Sequence, residues 1–300
     1  MDHRSGRMIK IEIQALSMKI IESRLSWISQ NPLLFYITIT FFIAYVLGIP
    51  FNMILSGLIG ERHEVAHVLV PRTVTVYAPA IAAIIVSYAS WGKAGVKLLM
   101  QKLVPQKNHF LYWLFVPLGS ICLTVTCYSI SGLDPGEFLT SVRERPWLLL
   151  LHFVVQFFIV GIGEETGWRG FLLPLCKSRY RFFTAIAMVT FIWGIWHFPL
   201  LFQDFAFVYP WILILISMSM ILTWLWIKTN CNLFVLALAH ASANASQSFF
   251  ENRLIEKNIA KEHLLAGWEI LGYGYLFIAL TILLIDFNSF RDDDKLNKKR

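Results

Sequence analysis

Two adjacent glutamates, Glu164 and Glu165, stand in an otherwise apolar stretch, and Arg169 follows the second by four residues. Upstream, between Trp147 and Ile162, only His152 and Gln156 are strongly polar. Ionisable groups at membrane depth are costly, so they are rare and usually functional. Two later apolar segments each carry one histidine, His197 and His240, and Asn244 lies one helical turn beyond the second. A carboxylate pair, an arginine, two histidines and an amide on three hydrophobic helices have the makings of a catalytic site. A glutamate can take a proton from water, either histidine can hold a water or a metal, and the asparagine can donate to a developing oxyanion.

Spacing divides the labour between the two carboxylates. Residues four apart share a helix face, so Glu165 and Arg169 can pair directly. Such a buried pair neutralises both charges, and its natural role is structural. Glu164 is turned by about 100° on the same helix and points elsewhere. This assigns the chemistry to Glu164 and the scaffold to Glu165. The bland alternative is that both carboxylates only neutralise arginine. Trp193 precedes His197 by one turn, and small residues from Ala237 to Ala245 surround His240, which permits close helix approach. A lone histidine in a helix is more often a satisfied core residue than a catalyst. Two of them, with a glutamate and an asparagine, favour a site.

Taken together, Glu164-Glu165-x-x-x-Arg169, Trp193-x-x-x-His197 and His240-x-x-x-Asn244 match in order and separation the motifs of a known family. The chain resembles the CPBP (Abi) intramembrane proteases, which include the endopeptidase of prenylated CAAX proteins. The resemblance covers about residues 77–248, and the segments around Trp168 and His197 look like those of bacterial members. Trp193 departs from the family pattern, which has phenylalanine there. The resemblance implies hydrolysis of a peptide bond in a membrane-associated peptide or protein by a glutamate-activated water. It makes Glu164 the general base, lets His197 position the water, and gives His240 and Asn244 the oxyanion. It leaves metal dependence open, because Glu164, His197 and His240 are also candidate ligands for a divalent metal such as zinc.

The elements that must position these residues are legible in the composition. With 57% hydrophobic residues, 15% charged residues and a mean hydropathy of +0.60 over 300 residues, the chain is too apolar for a soluble domain of this size. Several windows reach the length needed to cross about 30 Å of hydrocarbon. The expected fold is all-α and polytopic, with about eight transmembrane helices around a polar cavity. The spans fall near residues 33–49, 74–90, 110–130, 147 onward, 182–201, 209–227, 233–248 and 271–285. Residues 1–32 read as a cytoplasmic N-terminal segment, either an amphipathic helix at the membrane surface or a solvated arm, residues 33–288 as the membrane domain with the protease core at about 145–248, and residues 289–300 as a charged tail.

With both termini in the cytoplasm, inner segments hold nineteen Lys/Arg and outer loops seven, in keeping with the positive-inside bias. The chain is therefore expected to be an integral membrane protein, and its resemblance to bacterial members of the family implies a bacterial cytoplasmic membrane. Anionic headgroups account for the net charge of +7, so no nucleic-acid partner is needed. The four cysteines have no CxxC spacing and read as small hydrophobes.

Depth sets a further condition. If the fourth span ended at Ile162, Glu164 would sit at one interface, while His197 would lie roughly 22 Å deeper along its own helix. Sharing a water requires an unusually long fourth helix, about 147–175.

A rival motif, His63-Glu64-x-x-His67, has the spacing of a zinc site with a glutamate base, and Leu133-Asp134 is faintly like a partner motif. Its charged setting in an outer loop, close before Pro71, favours a solvated helix instead. Two non-protease classes stand beside these readings: a non-catalytic immunity or interaction protein on the same fold, and a proton-coupled transporter. The inverted repeats common in transporters are not evident here.

Overall fold

The computed structural model describes residues 26–59, 73–202 and 204–297. Among the described residues the regular structure is helical, with no strand. The principal helices are α1 (Pro32–Gly57), α2 (Thr73–Gln101), α3 (Lys107–Ile130), α4 (Pro135–Glu144), α5 (Pro146–Lys177), α6 (Phe182–Trp196), α7 (Phe205–Lys228), α8 (Leu233–Glu256) and α9 (Lys261–Asn297).

Six of these, α1, α2, α3, α5, α7 and α9, contain a stretch long and apolar enough to cross a membrane. Large apolar side chains such as Phe110, Leu114, Phe115 and Leu118 on α3 are exposed, as lipid-facing residues are. The chain is a polytopic all-α membrane protein. Two of the eight expected spans fall short of that measure for different reasons. α6 is apolar but only 15 residues long. α8 has the length, yet its apolar run is diluted by His240, Ser242, Asn244 and Ser246. Most of the N-terminal segment and the whole His63-Glu64-x-x-His67 motif lie outside the described residues.

The long helix required by the depth argument is present. α5 runs unbroken through the acidic motif, from Pro146 to Lys177. Pro146 opens it, where a missing N–H costs nothing. Its middle alternates between α-helix and two π-helical stretches, Gln156–Gly161 and Trp168–Leu172, which flank the α-helical turn holding both glutamates. Stretches of this kind are rare and frequent at functional sites.

α6 ends earlier than expected, at Trp196, and a short 3₁₀ turn follows from Phe198 to Phe202. The cause is local. Pro199 has no N–H to continue the i to i−4 ladder of α6, and His197 already takes φ −90°, ψ 19°. His197 therefore stands at the mouth of α6 instead of along its side. α8 starts where Asn232 caps it, accepting from the Val235 amide at 3.1 Å. The same side chain donates to the Val104 carbonyl at 3.0 Å, which fixes α8 to the loop after α2.

Glycines let α5 approach its neighbours backbone to backbone. A Cβ on Gly161 would meet the Ala237 backbone of α8, and one on Gly167 would collide with Pro79 of α2. In a bilayer such small-residue contacts supply much of the helix association. Gly167→Ala should consequently cost about 1–3 kcal/mol by overpacking, seen as weaker resistance to denaturant in detergent. Gly57→Ala, which meets nothing within 4 Å, is the control and should melt like the wild type.

Candidate active site

Glu164, Glu165 and Arg169 sit in the buried middle of α5, Trp193 near the end of α6, His197 just past it, and His240 and Asn244 on α8. The two neighbouring carboxylates meet different partners. Glu165 is fully enclosed. Its Oε1 accepts from Arg169 Nη1 at 3.1 Å and from His240 Nδ1 at 2.8 Å. Glu164 keeps 3% exposure. Its Oε2 accepts from the indole N–H of Trp193 at 2.8 Å and, at the long limit of 3.4 Å, from that of Trp168. No other hydrogen bond engages the Glu164 side chain among the described residues.

Arg169 is held on three sides. It donates to Glu165, and to Ser219 Oγ at 3.2 Å on α7. Its guanidinium also lies 4.4 Å from the centroid of the Trp193 ring. Ser219 in turn accepts from Thr190 at 2.6 Å. In water such contacts would be worth little, but here no solvent competes for the donors.

Trp193 is the hub of the site. Its N–H holds Glu164, its face takes the Arg169 cation, and its ring stands edge-on to both histidines, with centroids 5.8 Å from His197 and 5.6 Å from His240. A phenylalanine could pack in this position but could not donate to the carboxylate.

Both histidines are oriented through Nδ1. His197 Nδ1 donates to the Trp193 carbonyl at 2.9 Å, and His240 Nδ1 donates to Glu165. The Nε2 atoms are thereby left for chemistry, the usual consequence of a hydrogen bond fixing the opposite ring nitrogen. Asn244 bonds to Gln156 at 3.4 Å, and one turn away His152 bonds to Ser248 at 3.0 Å. These polar pairs run along the seam between α5 and α8.

The three metal candidates do not form a ligand set. Among the described residues no three His, Cys, Asp or Glu side chains converge as metal ligands. The donor arrangement does not fit a three-ligand metal, and no step below runs through one.

Sequence reasoning left several participants without a role. Trp168 could have been found, since it lies four residues after Glu164 on the same helix. Gln156 was visible as an isolated amide in an apolar run. Ser219 and Thr190 carry no signal, because hydroxyls are common in membrane helices and only the fold brings these two to Arg169. The contact of Glu165 with His240 joins residues 75 apart, and spacing does not reveal it.

Fold and site thus define a polytopic membrane protein with a buried carboxylate, arginine and histidine centre. Comparison with known proteins narrows this class. Residues 146–246 match the family described as type II CAAX prenyl endopeptidase, Rce1-like, a segment that contains Glu164, Glu165, Arg169, Trp193, His197, His240 and Asn244. The chain is also similar to CAAX prenyl protease 2 of Methanococcus maripaludis, 34% identical over 118 residues. That alignment covers 38% of this chain and 41% of the relative's length. The resemblance to the CPBP family read from the motifs is supported by both.

Proposed function

We propose that the protein is an intramembrane endopeptidase that cuts a membrane-associated substrate with a water activated by Glu164. The observation that carries this reading is the contrast between adjacent carboxylates. Glu165 is fully enclosed and its Oε1 is shared between Arg169 and His240, whereas Glu164 retains a little exposure and is held only by the indole N–H groups of Trp193 and Trp168, with no charged partner among the described residues. A group held in place but not consumed by its surroundings suits a general base.

In the reaction, Glu164 takes a proton from a water that His197 helps to place. The resulting hydroxide attacks the scissile carbonyl carbon. His240, protonated and oriented by Glu165, and the Asn244 amide donate to the tetrahedral oxyanion. Collapse of the intermediate breaks the C–N bond, and Glu164 returns its proton to the departing amine. Gln156 steadies Asn244.

The likeness to a CAAX prenyl protease makes a prenylated CAAX peptide the first substrate to offer. Incubating it with the protein in proteoliposomes and weighing the products tests the activity. A single new product set from the wild type, absent with Glu164→Gln, supports an enzyme. Equal phenotypes for both proteins in cells, with no cut peptide, would favour an immunity or interaction role.

The topology proposed with this function puts both termini in the cytoplasm, following the excess of Lys/Arg in the inner segments, eighteen to seven once Arg169, buried within α5, is left out. In a background without native cysteines, Ser5→Cys and Lys295→Cys should resist a membrane-impermeant thiol reagent in intact cells and react after lysis. Labelling of either from outside would contradict the arrangement.

A further inference from the structure

Beyond Arg169 along α5, the last turns of that helix and the second half of α2 enclose a cavity of about 310 Å³. Its walls are mainly apolar, with Trp91, Leu98, Leu99, Phe171 and Leu175 among them, and Lys102 lines it just past the end of α2. The half-buried ammonium of Lys102 donates to the Gly170 carbonyl at 2.9 Å. An ammonium has three donors, and no carboxylate is in ion-pair contact with this one among the described residues. Burial pushes its pKa down from the ordinary lysine value, and only the Cys231 thiol opposes that shift. A desolvated cation without a counter-charge is costly unless an anion meets it.

We propose that this cavity binds one anionic phospholipid of the surrounding bilayer, its phosphate on Lys102 and an acyl chain along Leu98, Leu99, Phe171 and Leu175. Three observations favour a lipid as the occupant. The cavity lies toward the ends of two helices long and apolar enough to cross a membrane, where headgroups are expected. It is apolar except near the lysine, which matches an amphiphile. The adjoining segments carry Lys97, Arg179 and Arg181, and basic clusters at helix ends concentrate anionic lipid. A second cavity, of about 480 Å³ along the exposed side of α2, has Lys93 as its charged lining residue. Since Lys93 is exposed to solvent and headgroups alike, it serves as the control. Because the phosphate would share Lys102 with Gly170, the residue next to Arg169, occupancy would brace the π-helical stretch below the site.

The test reads lipid binding, so its outcome is independent of whether the protein cleaves anything. Detergent-solubilised full-length protein is mixed with phosphatidylglycerol and phosphatidylcholine, and the bound lipids are counted by native mass spectrometry. The wild type should retain one phosphatidylglycerol in preference to phosphatidylcholine. Lys102→Met should weaken retention by about tenfold or more, as expected for losing a charged hydrogen bond. Leu175→Trp, which fills the cavity but keeps the charge, should do the same and covers the case in which Lys102→Met does not fold. Lys93→Gln should bind like the wild type, and excess inorganic phosphate should not displace the lipid. Any of four results overturns the proposal: no preference between the lipids, wild-type binding by Leu175→Trp or a folded Lys102→Met, an equal loss in Lys93→Gln, or displacement by phosphate.

Discussion

Glu164→Gln is expected to lower turnover by about 10²–10⁴-fold, the range of a positioned general base, in a protein that accumulates and melts like the wild type. The geometry explains why folding should survive. A glutamine oxygen can still accept the Trp193 N–H that Glu164 Oε2 accepts at 2.8 Å, so the hub of the site keeps its contact. Among the described residues Glu164 has no salt bridge whose loss would strand a charge, since the Arg169 contact goes to Glu165. What the amide cannot do is take a proton from water. Product formation per folded molecule, with thermal melting in detergent alongside, measures both halves of this expectation.

Arg169→Ala and Glu165→Gln should fail in the opposite way. The pair is completely enclosed, with side chains 0% exposed on both partners. Removing the arginine leaves a carboxylate buried with only His240 beside it, which should cost about 3–5 kcal/mol of stability. It also withdraws the cation from the Trp193 ring and the donor from Ser219, loosening α5 against α6 and α7. Glu165→Gln leaves the guanidinium without its counter-charge and removes the carboxylate that orients His240. Both variants should show lower folded yield and lower melting temperature as well as lost activity. A folded, fully active Arg169→Ala would refute the structural role given to the pair.

Much of this architecture could be read from the residues themselves. The apolar windows located the helices, and the pairing of Glu165 with Arg169 followed from a spacing of four. The mismatch in depth between Glu164 and His197 required a long α5. Other features escaped because they depend on tertiary contact. The end of α6 at Trp196 reflects Pro199 and the backbone of His197, in a segment whose hydropathy continues through Leu201. The π-helical stretches of α5 have no sequence code, and they set the directions of Gln156 and Trp168. In the sequence Trp193 stood out only as a departure from the family's phenylalanine. Only the fold shows that its N–H reaches Glu164 while its ring contacts Arg169. Likewise Glu165 looked committed to arginine, and its second partner, His240, emerged only when α8 was placed against α5.

The most direct test of the central claim compares three proteins in the same proteoliposomes: wild type, Glu164→Gln and Glu165→Gln. Each receives a membrane-anchored prenylated CAAX peptide, and mass spectrometry follows the products, with rates normalised to folded protein. The account predicts one cut by the wild type, none by a fully folded Glu164→Gln, and a poorly folded Glu165→Gln with reduced activity. A Glu164→Gln protein that cuts at near the wild-type rate, beside a stable but inactive Glu165→Gln, would contradict it.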